Sequence, residues 1–125
     1  MTEGVTSMHE LGVVFNVIDR AREVAIENKA DQIDSVTLLI GQVSTVIPSY
    51  LKDCWKWAVK KESMMKNAEL KVLTVHAINH CDDCGEDYDA IPHGKTCPKC
   101  GSSNTWLLQG NEFIIDEIEI SDSES

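Results

Sequence analysis

Cys81-Asp82-Asp83-Cys84-Gly85 and Cys97-Pro98-Lys99-Cys100-Gly101 are two C-x-x-C-G turns, twelve residues apart, and they use four of the chain's five cysteines. Each turn can set two thiolates on adjacent corners of a tetrahedron, so the pair describes a closed four-sulfur metal site. Gly85 and Gly101 can take a left-handed turn that aims backbone N–H groups at the sulfurs. Zinc suits this set, and iron in a rubredoxin-like cage satisfies the same ligands. A thioredoxin-like redox pair explains one C-x-x-C but not a matched second one.

Met8-His9-Glu10-Leu11 is the second segment with chemistry in it. Ser7 and Glu10 have the spacing of a capping box, which would leave His9 in an exposed first turn. Alternatively, the His9 imidazole and neighbouring deprotonated amides form a planar nitrogen set, which suits Ni(II) or Cu(II) better than zinc. No triad or phosphate-binding glycine loop accompanies these segments, and a closed four-thiolate site has no open position for hydrolysis, so an enzyme is not expected.

The elements that position these groups follow from the patterning of 125 residues carrying 42% hydrophobic residues and a net charge of −10. That charge speaks against nucleic acid as a partner, because phosphate binding needs a basic face. No apolar run reaches the ~20 residues of a membrane span, and no export signal is visible, so a cytoplasmic protein without membrane association is expected. Residues 1–7 are expected to form a flexible lead. Leu11, Val14, Phe15, Ile18, Ala21, Ala25 and Ile26 mark one helical stripe. Val36–Ile40 suits a strand. Pro48 opens a second helix with Leu51, Cys54, Trp55, Ala58 and Val59 inward and Lys52, Lys56 and Lys60 outward. Leu70–Ile78 and Phe113–Ile120 alternate as strands, and residues 121–125 are expected to be a disordered tail.

These elements predict an α/β (α+β) fold: two helices on a three-stranded sheet, with a zinc ribbon inserted before the last strand. The expected domains are 8–80 plus 110–120, and 81–109 for the ribbon. Cys54 is expected to be a buried, inert thiol. His76 is expected to face solvent; His80 and His93 are expected in solvent or behind the zinc ligands. The lysine row is usually a solvated face, although in so acidic a chain it could meet an acidic partner.

Met-His-Glu-Leu opening a helix, Val36-Thr37-Leu38-Leu39-Ile40-Gly41, Asn67-Ala68-Glu69-Leu70 and the two C-x-x-C-G turns together resemble the HypA/HybF nickel metallochaperones of [NiFe] hydrogenase maturation, from Met8 to about Ile120. The resemblance implies that His9 is the main Ni(II) ligand, that the amide nitrogens of His9 and Glu10 complete the site, and that Cys81, Cys84, Cys97 and Cys100 hold structural Zn(II). It also implies two partners, a HypB-type GTPase and the hydrogenase large subunit. In the family the methionine is the first residue and its amine is a ligand, whereas here seven residues precede Met8. The competing class is a zinc-ribbon adaptor or transcriptional accessory protein whose metal is structural only.

Overall fold

A computed structural model of the chain describes the backbone from Thr2 to Asp122 and the side chains from Glu10 to Asp122. Its elements are α1 (Thr2–Glu27), β1 (Gln32–Gly41), α2 (Pro48–Val59), a 3-10 turn (Ser63–Met65), β2 (Glu69–Val75), β3 (Ile78–Cys81), β4 (Asp87–Asp89), α3 (Ala90–His93), β5 (Thr105–Gln109) and β6 (Phe113–Ser121). They form two three-stranded sheets, in the orders β2-β1-β6 and β4-β3-β5. Thus β6 returns beside a strand laid down some eighty residues earlier, as the alternation of Phe113–Ile120 predicted.

The chain divides into two compact units. One contains the residues up to Leu38, Val46–Leu73 and Ile114 onward; the other contains Leu39–Thr45 and Thr74–Phe113. The metal-bearing unit is therefore wider than 81–109, because it takes in the end of β1 and the link between β2 and β3.

In the first unit, α1 packs against α2. Val14, Val17, Ile18, Ala21 and Ala25 are buried with Leu51, Cys54, Trp55, Ala58 and Val59 of α2 and Ile33, Val36 and Leu38 of β1. Each large side chain removed from water contributes on the order of 1.5–3 kcal/mol. Trp55 is held by more than packing, since its indole N–H donates to the Ala68 carbonyl at 2.9 Å. The buried face of α1 is turned by about one residue from the expected stripe. Val17 and Glu10 are inside, whereas Ile26 is exposed and Phe15 sits at the rim, edge-on to Trp57 at 6.5 Å. Small Ala21 and Ala25 are wholly buried on this face.

Helical backbone starts at Thr2 rather than after residues 1–7, so Ser7 does not cap α1. Glu10 does not reach back to it either. Its Oε2 accepts from the backbone N–H of Ile47, the N-cap of α2, at 3.2 Å. Of the tail expected from residue 121, Ser121 instead closes β6 and donates its hydroxyl to Asp34 at 3.1 Å, and residues 123–125 lie outside the described residues.

Leu70–Ile78, expected as one strand, is broken in two. β2 stops at Val75 and β3 starts at Ile78 in the other sheet. The link is fixed by groups distant in sequence. Gln42 Oε1 accepts from the Ala77 N–H at 2.7 Å, and Gly110 approaches so closely that a Cβ there would lie 2.6 Å from Ala77 Cα. Backbone bonds from Gly41 to Glu112, Gln42 to Val75 and Val43 to Gly110, at 2.8 to 2.9 Å, tie the same place together.

Candidate metal centre

β3 pairs antiparallel with β4 and with β5, placing His80 opposite Asp87 and Trp106. Cys81 ends β3, and the chain then makes its first C-x-x-C-G turn; the second follows α3. The two turns repeat each other bond for bond. Gly85 N–H donates to Cys81 O and Gly101 N–H to Cys97 O, both at 2.8 Å, while the Cys81 and Cys97 N–H groups donate to Glu86 O and Ser102 O at 2.9 and 3.0 Å. Gly85 and Gly101 have φ of 78° and 76°, the left-handed region where a Cβ is strained.

All four sulfurs lie within 4.8 Å of one another, and Cys81–Cys100 and Cys84–Cys97 are each 3.6 Å apart. A tetrahedral zinc ion with Zn–S of about 2.3 Å sets its sulfurs about 3.8 Å apart. The cage therefore fits zinc by size as well as by ligand type. Backbone amides face the sulfurs: those of Cys100 and Lys99 lower the Cys97 thiol to about 7 against the effect of burial, and Glu86 and Ser102 supply the equivalent N–H to Cys84 and Cys100. Amides aimed in this way stabilise thiolates, the form that binds metal. Against the Glu86 amide, burial and the three neighbouring sulfurs push Cys84 up to about 12. Four thiolates this close repel one another, and a divalent cation at their centre relieves that repulsion.

Around the cage is a polar brace that sequence inspection did not single out. Asp83 accepts from the Ser102 hydroxyl and from Asn104 Nδ2, joining the first turn to the second. These bonds, Ser102 first, hold its carboxyl below the usual range. Trp106 Nε1 donates to Asp82 at 3.0 Å. His80, half-buried, bonds Asp87 at 2.6 Å through Nδ1 and leans on the Trp106 ring at 5.4 Å. His80 therefore meets Asp87, Asp82 and Trp106 beside the cage, and among the described residues no hydrogen bond joins it to a cysteine sulfur. His93 is exposed and meets Tyr88 edge-on at 6.0 Å, and His76 is exposed beside Asp89 at 3.0 Å. The only signal for the brace was the excess of Asp and Asn around the cysteines.

The side chains of Met8 and His9 lie outside the described residues. Glu10, their neighbour, is only 1% exposed, and among the described residues its Oε1 has no hydrogen-bond partner. Cys54 is buried close by. Burial pushes its thiol up, with smaller contributions from the carboxylates of Glu10 and Asp53, which agrees with an inert role.

The family described as "Hydrogenase/urease nickel incorporation, metallochaperone, hypA" matches residues 8–120, from Met8 through the cage to the end of β6. The chain belongs to the HypA family. Among its relatives is the hydrogenase maturation factor HypA of Chlorobium phaeobacteroides, 34% identical over 90% of this chain and 99% of that protein. HypA of Dehalococcoides mccartyi is 32% identical over 92% of this chain and 96% of its own length. Two solved structures share the fold. The solution structure of the Ni metallochaperone HypA from Helicobacter pylori gives a TM-score of 0.65 at 26% identity, covering 91% of this chain and 98% of that one. A second HypA solution structure gives 0.68 at 30% identity over 90% and 96%. HypA proteins are nickel metallochaperones of hydrogenase maturation, and the four-cysteine cage of this member suits a structural zinc ion. No described helix is long and apolar enough to cross a membrane.

Proposed function

We propose that this chain binds Ni(II) at Met8-His9-Glu10 and delivers it to a [NiFe] hydrogenase, while Cys81, Cys84, Cys97 and Cys100 hold zinc for structure alone. The observation that carries this reading is the family match, which begins at Met8 and spans both the Met-His-Glu segment and the cage. The His9 imidazole and the amide nitrogens of His9 and Glu10 make the planar nitrogen set that Ni(II) accepts. Nickel is cargo here, and no bond of a substrate is made or broken, so no enzymatic activity is assigned. The partners are a HypB-type GTPase and the hydrogenase large subunit, met in the cytoplasm.

Metal analysis and nickel titration test this. One zinc per chain and one weaker nickel are expected, with His9→Ala losing nickel and keeping zinc. Unchanged nickel affinity in His9→Ala would refute the site and leave the zinc-ribbon adaptor as the better description.

A further inference from the structure

Five of the chain's eleven Lys and Arg residues lie between Lys52 and Lys66, a stretch with only two carboxylates, in a protein whose net charge is −10. Among the described residues none of these five lysines pairs with a carboxylate. Lys61 instead lies over the Trp57 ring at 4.1 Å. At 100° per residue, Lys52, Lys56 and Lys60 line one side of the outward face of α2, and Tyr50 and Trp57 line the side next to them.

Three aromatic side chains are exposed on the same surface: Trp57 at 49%, Phe15 of α1 at 44% and Tyr50 at 41%. Beside Trp57 is a shallow recess of about 230 Å³ lined by Leu11, Asp53, Cys54 and Trp57. Exposed aromatic side chains around a recess, rimmed by charged ones, are the composition of a binding surface, not of an ordinary solvated helix.

We infer that the outer face of α2, with Phe15, docks an acidic protein surface that inserts one apolar side chain beside Trp57. Charge complementarity selects the acidic partner, because the lysines have no carboxylates of their own to meet. The recess selects a protein over an anionic membrane, since a concave site receives a protruding side chain whereas a bilayer receives one. Leu11 lines the recess one helical turn after Met8, so the docked partner lies next to the start of the nickel segment; resting on the function proposed above, it is the protein that exchanges nickel with this chain.

The test measures binding of the purified zinc-loaded chain to the cognate HypB-type GTPase and to the hydrogenase large subunit at several salt concentrations. Trp57→Ala is expected to weaken binding to at least one of them about tenfold or more, as truncation of a central aromatic anchor does. The pair Lys56→Glu and Lys60→Glu is expected to slow association and to flatten its salt dependence. Zinc content, melting temperature and nickel affinity of all variants should match wild type. Binding of both variants within twofold of wild type, or no binding of wild type to either protein, would overturn the docking face. Equal dependence on these residues of binding to vesicles of phosphatidylserine and phosphatidylcholine would overturn it in favour of a membrane. Docking retained by His9→Ala after nickel is lost would separate failure of the nickel site from failure of this surface.

Discussion

Gly41→Ala is a sensitive probe of the place where β1, the β2–β3 link and the β5–β6 link meet. A Cβ on Gly41 would lie 1.9 Å from the carbonyl oxygen of Gly110 and 2.5 Å from the backbone nitrogen of Asn111. Those atoms belong to backbone, so no rotamer change relieves the contact. The two segments must part by about 1.5 Å to restore van der Waals separation. Parting them stretches the bonds from Gly41 to Glu112 and from Val43 to Gly110 and disturbs that from Gln42 to Val75. At ~1 kcal/mol for each, the loss is about 3 kcal/mol, within the range expected for overpacking. For a chain of this size that corresponds to a fall in Tm of roughly 10–15 °C. Gly12→Ala provides the contrast: nothing lies within 4 Å of a Cβ there, in mid-helix, so alanine should stabilise by up to ~1 kcal/mol. Circular dichroism melts at constant zinc content measure both. A Gly41→Ala protein melting within ~3 °C of wild type would refute the reasoning, because the clash leaves no inexpensive way out.

Removal of zinc by a chelator, or Cys97→Ser, should disorder the β4-β3-β5 sheet, since a structural metal site supplies much of the folding free energy of so small a module; retained amide dispersion in that unit by NMR would contradict this. Truncation after Gly110 should lower the melting temperature of the first unit, because it removes β6 together with the bonds of Ser35 and Lys71 to Glu119; an unchanged melt would show that β6 is dispensable. The Glu119 carboxyl is held below the usual range by the Ser35 hydroxyl first and by Lys71. Its folded pKa is depressed, so its stabilisation is present above the unfolded value of about 4.3 and lost as pH falls through the folded one. Glu119→Gln should therefore be less stable than wild type at pH 7 and equal to it at strongly acid pH, a difference that urea titrations at several pH values resolve.

The cage was legible in the sequence because metal chemistry dictates both ligand type and spacing, and the two turns could fold almost without reference to the rest of the chain. The helices were legible through their period, but the rotation of α1 was not. Phe15 and Ile26 satisfy a helical stripe as well as Val17 does, and only packing against α2 decides between them. Glu10 was misread for a related reason. Ser7-x-x-Glu10 is a local signal, and the amide of Ile47, thirty-seven residues away, wins the carboxylate. The break between β2 and β3 left no mark either, as the alternation of apolar residues continues through His76 and Ala77. Gln42 and Gly110 impose it from remote positions.

The nickel segment proposed above meets two opposing demands in its amides. Planar coordination needs the amide nitrogens of His9 and Glu10 free and deprotonated, but α1 starts at Thr2, so both N–H groups fall where a helix directs them to carbonyls four residues earlier. Coordination in the 125-residue chain must give up those two bonds, at ~1 kcal/mol each. Unwinding is limited at Glu10, because its buried carboxylate is tied to Ile47 at the start of α2. A chain beginning at Met8 has no such cost, since its first four N–H groups lack helical acceptors in any case, and its free amine adds a donor that needs no amide deprotonation. The freed hydrogen bonds alone amount to ~2 kcal/mol, so the Met8-start form should bind nickel at least about thirtyfold more tightly. Isothermal titration of the two forms at fixed pH measures the ratio. Equal affinities would mean that neither the amine nor these amides are ligands, and that nickel is held by side chains alone.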